Sequence, residues 1–187
     1  MLNNTVALLG GETPAVGDYE SIATVTLGSN QNLITFSSIS SGYKHLQIRY
    51  ISRSTRASGT DSVSIRFNGD SSANYARHFL YGDGGSAGAG ATTSDTLSNC
   101  AIGSGASAGA SMFGAGIIDI LDYTSTNKNK TIRTLSGADI NGAGGDLRFS
   151  SGLWFKTPEA ITSIVLYAQG GSADFVTNST FALYGVK

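Results

Sequence analysis

The sequence predicts an all-β chain: an antiparallel two-sheet jelly-roll β-sandwich with a short extended N-terminal arm and almost no helix. Three observations point there. Apolar residues recur at every second position in segment after segment, the period of a strand with one buried face. No window of helical length repeats apolar positions at i, i+3, i+4 without a glycine interrupting it. Turn clusters such as Asn68-Gly69-Asp70 separate about ten such segments at roughly 8–15-residue spacing, the pattern of sandwiches and barrels. At 187 residues, with long loops as well as short ones, a two-sheet jelly roll fits better than a closed barrel.

Residues 1–18 read as an arm. Gly10-Gly11, Pro14 and Gly17 break any regular element, while Val6, Leu8 and Leu9 form an apolar handle suited to docking on a neighbour or lying across the chain's own sheet. The domain proper spans 19–187. Ala23, Val25 and Leu27 alternate with Thr24 and Thr26; Ile34 and Phe36 follow a turn; Leu46, Ile48 and Tyr50 alternate with His45, Gln47 and Arg49. Val63, Ile65 and Phe67 form the next core row, and Tyr75, Arg77, Phe79 and Tyr81 continue in extended style.

The middle is rich in small residues. Gly82–Ala91 is expected to be a flexible loop, Thr92–Ile102 a weak strand, and Gly103–Gly109 a second loop. Met112–Tyr123 is the strongest strand here, with Ile117, Asp119 and Leu121 on one face and Ile118, Ile120 and Asp122 on the other. Two more strands follow, Lys130–Ala138 and Asp146–Phe155. The chain closes on Ile161, Ser163, Val165 and Tyr167, a turn at Gln169–Ser172, and the terminal Ser179–Lys187. A terminal strand carrying Phe181, Leu183 and Tyr184 must be inserted in a sheet rather than left as a sticky edge. Phe181, Leu183 and Val165 are therefore expected in the core, and truncation after Asn178 is expected to prevent folding.

If every strand crosses the sandwich, alternate loops share an end. The expected grouping puts 28–31, 54–60, 82–91 and 123–129 at one end, and 38–42, 69–74, 103–111, 139–145 and 170–178 at the other.

Composition narrows function. Charged residues are 13% of the chain and the formal net charge is -1, so no field draws nucleic acid or anionic lipid. Neither nucleic acid nor membrane is an expected partner. No stretch approaches a membrane span, and Val6–Leu9 lacks the basic flank and length of a signal peptide. The expectation is a protein made in the cytoplasm and not exported by the usual route. Cys100 is a lone thiol, expected buried.

Chemical motifs are weak. Ser86 and Ser107 each lie in a G-x-S-x-G string, but the nucleophile elbow works through a strand–turn–helix and no helix follows either. His45 and His78 are isolated from one another on strands, which is not a metal cluster. Asp119 and Asp122 face opposite sides of one strand, so they are not a glycosidase pair; Asp119 is expected to be a buried acid paired with Arg133 or Arg49. Asn68, Asp70, Ser72 and Asn74 space oxygens like a calcium loop but carry too few acids. Tyr43, Tyr50, Tyr75, Tyr81, Tyr123, Trp154 and Tyr167 would stack on sugars if they shared an exposed patch; on strands they belong more often to the core. No enzymatic activity, metal or cofactor is expected.

Several segments resemble a group of small virion proteins of tailed bacteriophages. They include Tyr19–Thr26, Tyr43–Arg49, Ser54–Ala57, Ile65–Asp70 with Asn74-Tyr75, Leu80–Gly84, Ile117–Tyr123 with Ser125–Lys128, Ser151–Trp154 and, most characteristically, Ser179–Gly185. The likeness runs from about Tyr19 to the end. Members are described as structural, tail-fibre-like or capsid-decorating proteins. The resemblance implies a structural protein on the outer surface of a virion, most simply a capsid decoration (cement) protein. It would sit as a homotrimer against the major capsid protein, with the arm as anchor. The alternative it leaves open is a head- or tail-fibre tip that binds host glycans.

Overall fold

The computed structural model describes residues 17–141 and 144–187; the arm residues Val6, Leu8 and Leu9 lie outside the described residues. Twelve strands run β1 (Tyr19–Thr26), β2 (Leu33–Phe36), β3 (His45–Ser52), β4 (Thr60–Phe67), β5 (Tyr75–Gly82), β6 (Ala87–Asp95), β7 (Ser98–Ser104), β8 (Gly114–Leu121), β9 (Lys130–Ala138), β10 (Asp146–Trp154), β11 (Ile164–Ala168) and β12 (Thr180–Val186). Among the described residues the only helix is a single 3-10 turn, Gln169–Gly171.

One sheet has eight strands in the order β1-β12-β3-β8-β9-β10-β5-β6, and the other has four, β2-β11-β4-β7. All pairings are antiparallel. Removing β5, β6, β9 and β10 leaves β1-β12-β3-β8 facing β2-β11-β4-β7, with the chain changing sheets at each step. That is jelly-roll connectivity. The four remaining strands are two hairpins inserted after β4 and after β8. They zip together through β10 and β5, and they widen one sheet only.

The core lies between the sheets. Leu46, Ile48, Tyr50, Ile118, Ile120, Phe181 and Leu183 come from the large sheet, and Ile34, Phe36, Val63, Ile65, Phe67, Ile164 and Leu166 from the small one. The terminal strand β12 sits between β1 and β3, as its aromatic and aliphatic content requires, and Phe181 and Leu183 are fully buried. Val165 is not in the core. β11 buries Ile164, Leu166 and Ala168 and turns Val165 and Tyr167 outward, one residue out of phase with the expectation. With Ile164, Val165 and Leu166 all apolar, the alternation there does not define a phase.

The glycine-rich middle is also different. Gly82–Ala91 is not a loop: β5 runs through Gly82, a turn at Asp83–Ser86 follows, and β6 begins at Ala87. Gly88 and Gly90 lie against the rings of Tyr81 and Phe79 on the paired strand, where a Cβ would come within 2.7 and 2.5 Å. Aromatic rings covering cross-strand glycines supply the packing that β6 lacks by itself. The expected weak strand Thr92–Ile102 is in fact two strands, split at Thr96-Leu97.

That extra reversal swaps every later loop to the opposite end. Segments 28–31, 54–60, 103–111 and 170–178 cluster together, as Gln31 N to Phe175 O at 2.9 Å, Thr55 N to Asp174 O at 2.9 Å and Gly105 N to Gly59 O at 2.9 Å show. Ile140 and Gly144 pack on Gly59 at the same end. Arg53 organises this end. Its guanidinium donates to the carbonyls of Ala106, Ala108, Gly109 and Met112 at 2.8–3.1 Å, fixing a loop with little core of its own. Segment 123–129 joins 38–42 at the far end. There Tyr123 Oη donates to Ser40 O, and Ile161 N to Tyr123 O at 2.9 Å.

Candidate interaction surface

The residues singled out for chemistry are occupied structurally. Cys100 is fully buried and burial pushes its thiol up to about 12, far from a reactive thiolate. Ser86 sits in the β5–β6 turn with its hydroxyl donating to Asp83 Oδ2 at 2.9 Å, and Ser107 sits in the loop that Arg53 holds. His78 is exposed on β5, while His45 on β3 accepts from Asp122 N at 2.9 Å. Asn68, with φ 49°, uses its amide to bind Ala160 O, Thr162 N and Ser163 N. Asp70 accepts from Asn74 Nδ2 at 2.8 Å, Ser72 N at 3.0 Å and the buried Trp154 Nε1 at 2.7 Å. These oxygens staple a turn to the core. No cluster of three or more metal-ligating side chains occurs among the described residues. Of the aromatics, Tyr50, Tyr75, Tyr123 and Trp154 are core, and Tyr43, Tyr81 and Tyr167 are half-buried, so they form no exposed stacking platform.

What stands out is the outer face of the eight-stranded sheet. Ile117 on β8 is paired with Leu135 on β9, Leu135 with Phe149 on β10, and Phe149 with Leu80 on β5. Four neighbouring strands thus set one large apolar side chain each in a single line. At about 4.8 Å per strand the line is some 15 Å long. The next row carries Ile51, Ala115, Gly137 and Leu147 on β3, β8, β9 and β10. With Leu153, these seven large side chains are 36–59% exposed. Between the two rows, the small residues Ala115, Gly116 and Gly137 floor a dent of ≈ 400 Å³ rimmed by Arg49, Ile117, Leu135 and Leu147.

A polar rail borders the line on its other side. Gln47 Nε2 donates to Asp119 Oδ1 at 2.8 Å, Arg133 Nη2 lies 3.5 Å from Asp119 Oδ2, and Arg49 Nε donates to Gln47 Oε1 at 2.7 Å. The expected Asp119–Arg133 pair therefore forms, but Asp119 is a quarter exposed rather than buried. Arg49 also stacks over Tyr19 and Tyr184, at 5.2 and 5.1 Å from the ring centroids.

β10 makes this face unusual. Its inward positions are Asp146, Arg148, Ser150, Gly152 and Trp154, while Leu147, Phe149 and Leu153 point out. Polar atoms are turned in, and Ser150 Oγ and Arg148 Nε are buried without a partner. Contiguous apolar side chains on an outer sheet face are the kind of patch that marks an interaction site. Sequence reasoning missed it. The alternation of Leu147 and Phe149 with Arg148 and Ser150 was the available signal, but alternation does not say which face is inside.

No family model, curated protein or solved structure matches this chain.

Proposed function

We propose that the chain is a structural virion protein of a tailed bacteriophage, a capsid decoration (cement) protein that works through protein–protein contacts. The observation that carries an assembly role is the outward apolar face of β8, β9, β10 and β5. It offers a row of large exposed apolar side chains across four paired strands. The virion setting rests on the resemblance of Tyr19–Gly185 to small phage structural proteins. In this role the partners are further copies of the chain and the major capsid protein, and the segment carrying Val6, Leu8 and Leu9 is the anchor to the shell. Apolar contacts repeated over a shell add resistance to internal pressure at about 25 cal/mol per Å² buried.

Imaging particles with and without the protein tests the reading. Density on the head that disappears with the protein supports it; density confined to the tail, or none, contradicts it. Removing residues 1–17 should abolish particle binding while the domain stays folded, and normal occupancy by the truncated chain would refute the anchor.

A further inference from the structure

We infer that the outer face of the eight-stranded sheet is covered by a second copy of this chain, in an isologous face-to-face pair. The size of the face comes first. The six side chains of the two adjoining rows, 40–59% exposed, offer roughly 600 Å² of apolar area, at the top of the 300–600 Å² of the largest patch on a typical monomer and most of the ~800 Å² that each partner contributes to a standard interface.

Its shape fits a copy of itself. The face holds both projections and a shallow dent. Ile117, Leu135, Phe149 and Leu147 stand up, and Ala115, Gly116 and Gly137 floor the 400 Å³ dent beside them. A two-fold axis lying in the interface sets the projections of each copy against the dent of the other. One patch then serves both sides, as an isologous contact requires. The homotrimer that the resemblance implies is a different assembly, because a three-fold ring needs two different complementary surfaces. Sheets also stack naturally face on face at about 10 Å, with side chains interdigitating.

Charge agrees. The rail beside the patch carries both signs, Arg49 and Arg133 against Asp119, and its acid is already paired within the chain. With a formal net charge of -1, nothing about this face selects a strongly charged partner. Inward-facing Arg148 and Ser150 beside outward Leu147 and Phe149 give β10 two buried faces once the pair forms.

The inference rests on the reading of the chain as an assembly protein, but it is tested on the isolated full-length chain, so a negative result on virions leaves it standing. Sedimentation and native mass measurement across a dilution series should give a two-chain species. Leu135→Asp combined with Phe149→Asp should convert it to a single chain. Circular dichroism and Trp154 emission should show the fold retained, because both side chains lie outside the core. A wild-type chain that is single at every concentration overturns the inference whatever the variant does. So does an odd-numbered oligomer, or an oligomer whose mass the substitutions leave unchanged. A single-chain wild type that binds an apolar dye only after deletion of residues 1–16 also overturns it, and assigns that segment as the cover.

Discussion

Leu135 and Phe149 are direct cross-strand partners on β9 and β10, and both side chains stand about half exposed on the outside of the sandwich. Cross-strand apolar pairs normally stabilise the side of a sheet that faces a core. Here the pair sits at the centre of a face with nothing over it among the described residues, while Thr134 and Ser150 behind it point inward. The widened sheet thus has a jelly-roll core on one side and the makings of a second apolar layer on the other.

The Asp70–Trp154 contact should carry measurable stability. Burial opposes ionisation of Asp70, but hydrogen bonds from Asn74, Trp154 and Ser72 outweigh it and hold the carboxyl below its usual value. Asp70→Ala leaves a buried indole N–H without an acceptor, at a cost of about 1–3 kcal/mol. Because the folded-state value is depressed, the carboxylate's contribution is present above the unfolded value and is lost as pH falls through the folded one. Urea melts read by Trp154 emission should show a large wild-type advantage over Asp70→Ala at pH 7 that shrinks in acid.

Asp61 should behave in the opposite sense. Burial raises its carboxyl, against the opposing pull of Ser54, the Ser62 N–H and Arg56, and its Oδ2 has no hydrogen-bond partner. A raised folded-state value contributes stability that is present below the unfolded value, near 3.9, and is lost as pH rises through the folded one. Asp61→Asn should therefore gain on the wild type in melting temperature as pH rises from about 4 to 7. A difference that stays flat or reverses would show that Arg56, 3.4 Å from Oδ1, compensates the burial fully.

Gly90 is a packing requirement. A Cβ there would meet the Phe79 ring at 2.5 Å, so Gly90→Val should cost about 1–3 kcal/mol by overpacking. Hydrogen exchange should quicken first in β5 and β6. Phe79→Ala, itself destabilising, should make the Gly90→Val penalty smaller in a double-mutant cycle. Equal penalties in both backgrounds would mean that the ring is not what excludes the side chain.

Legibility in the sequence followed the strength of the alternation. β3, β4 and the inner row of β8 read correctly because Leu46, Ile48 and Tyr50, then Val63, Ile65 and Phe67, then Ile118 and Ile120, each oppose polar or differently exposed neighbours. β6 was illegible because Ala87–Ala91 has no pattern of its own; it is a strand because Phe79 and Tyr81, nonlocal in sequence, cover its glycines. Missing it displaced the later loops to the wrong ends. The outer face was hidden for a different reason. Burial in a widened sheet depends on where the second sheet ends, and β7 is the last strand of that smaller sheet.

The central claim is that the outer face works covered. Hydroxyl-radical footprinting of the full-length chain, assembled and then diluted to the single-chain state, reads it directly. Leu135, Leu147 and Phe149 should become several-fold more reactive on dissociation, while Leu33, 41% exposed on β2 of the other sheet, keeps its reactivity. Equal reactivity of Leu135, Leu147 and Phe149 in both states, or protection at Leu33 instead, would contradict the account.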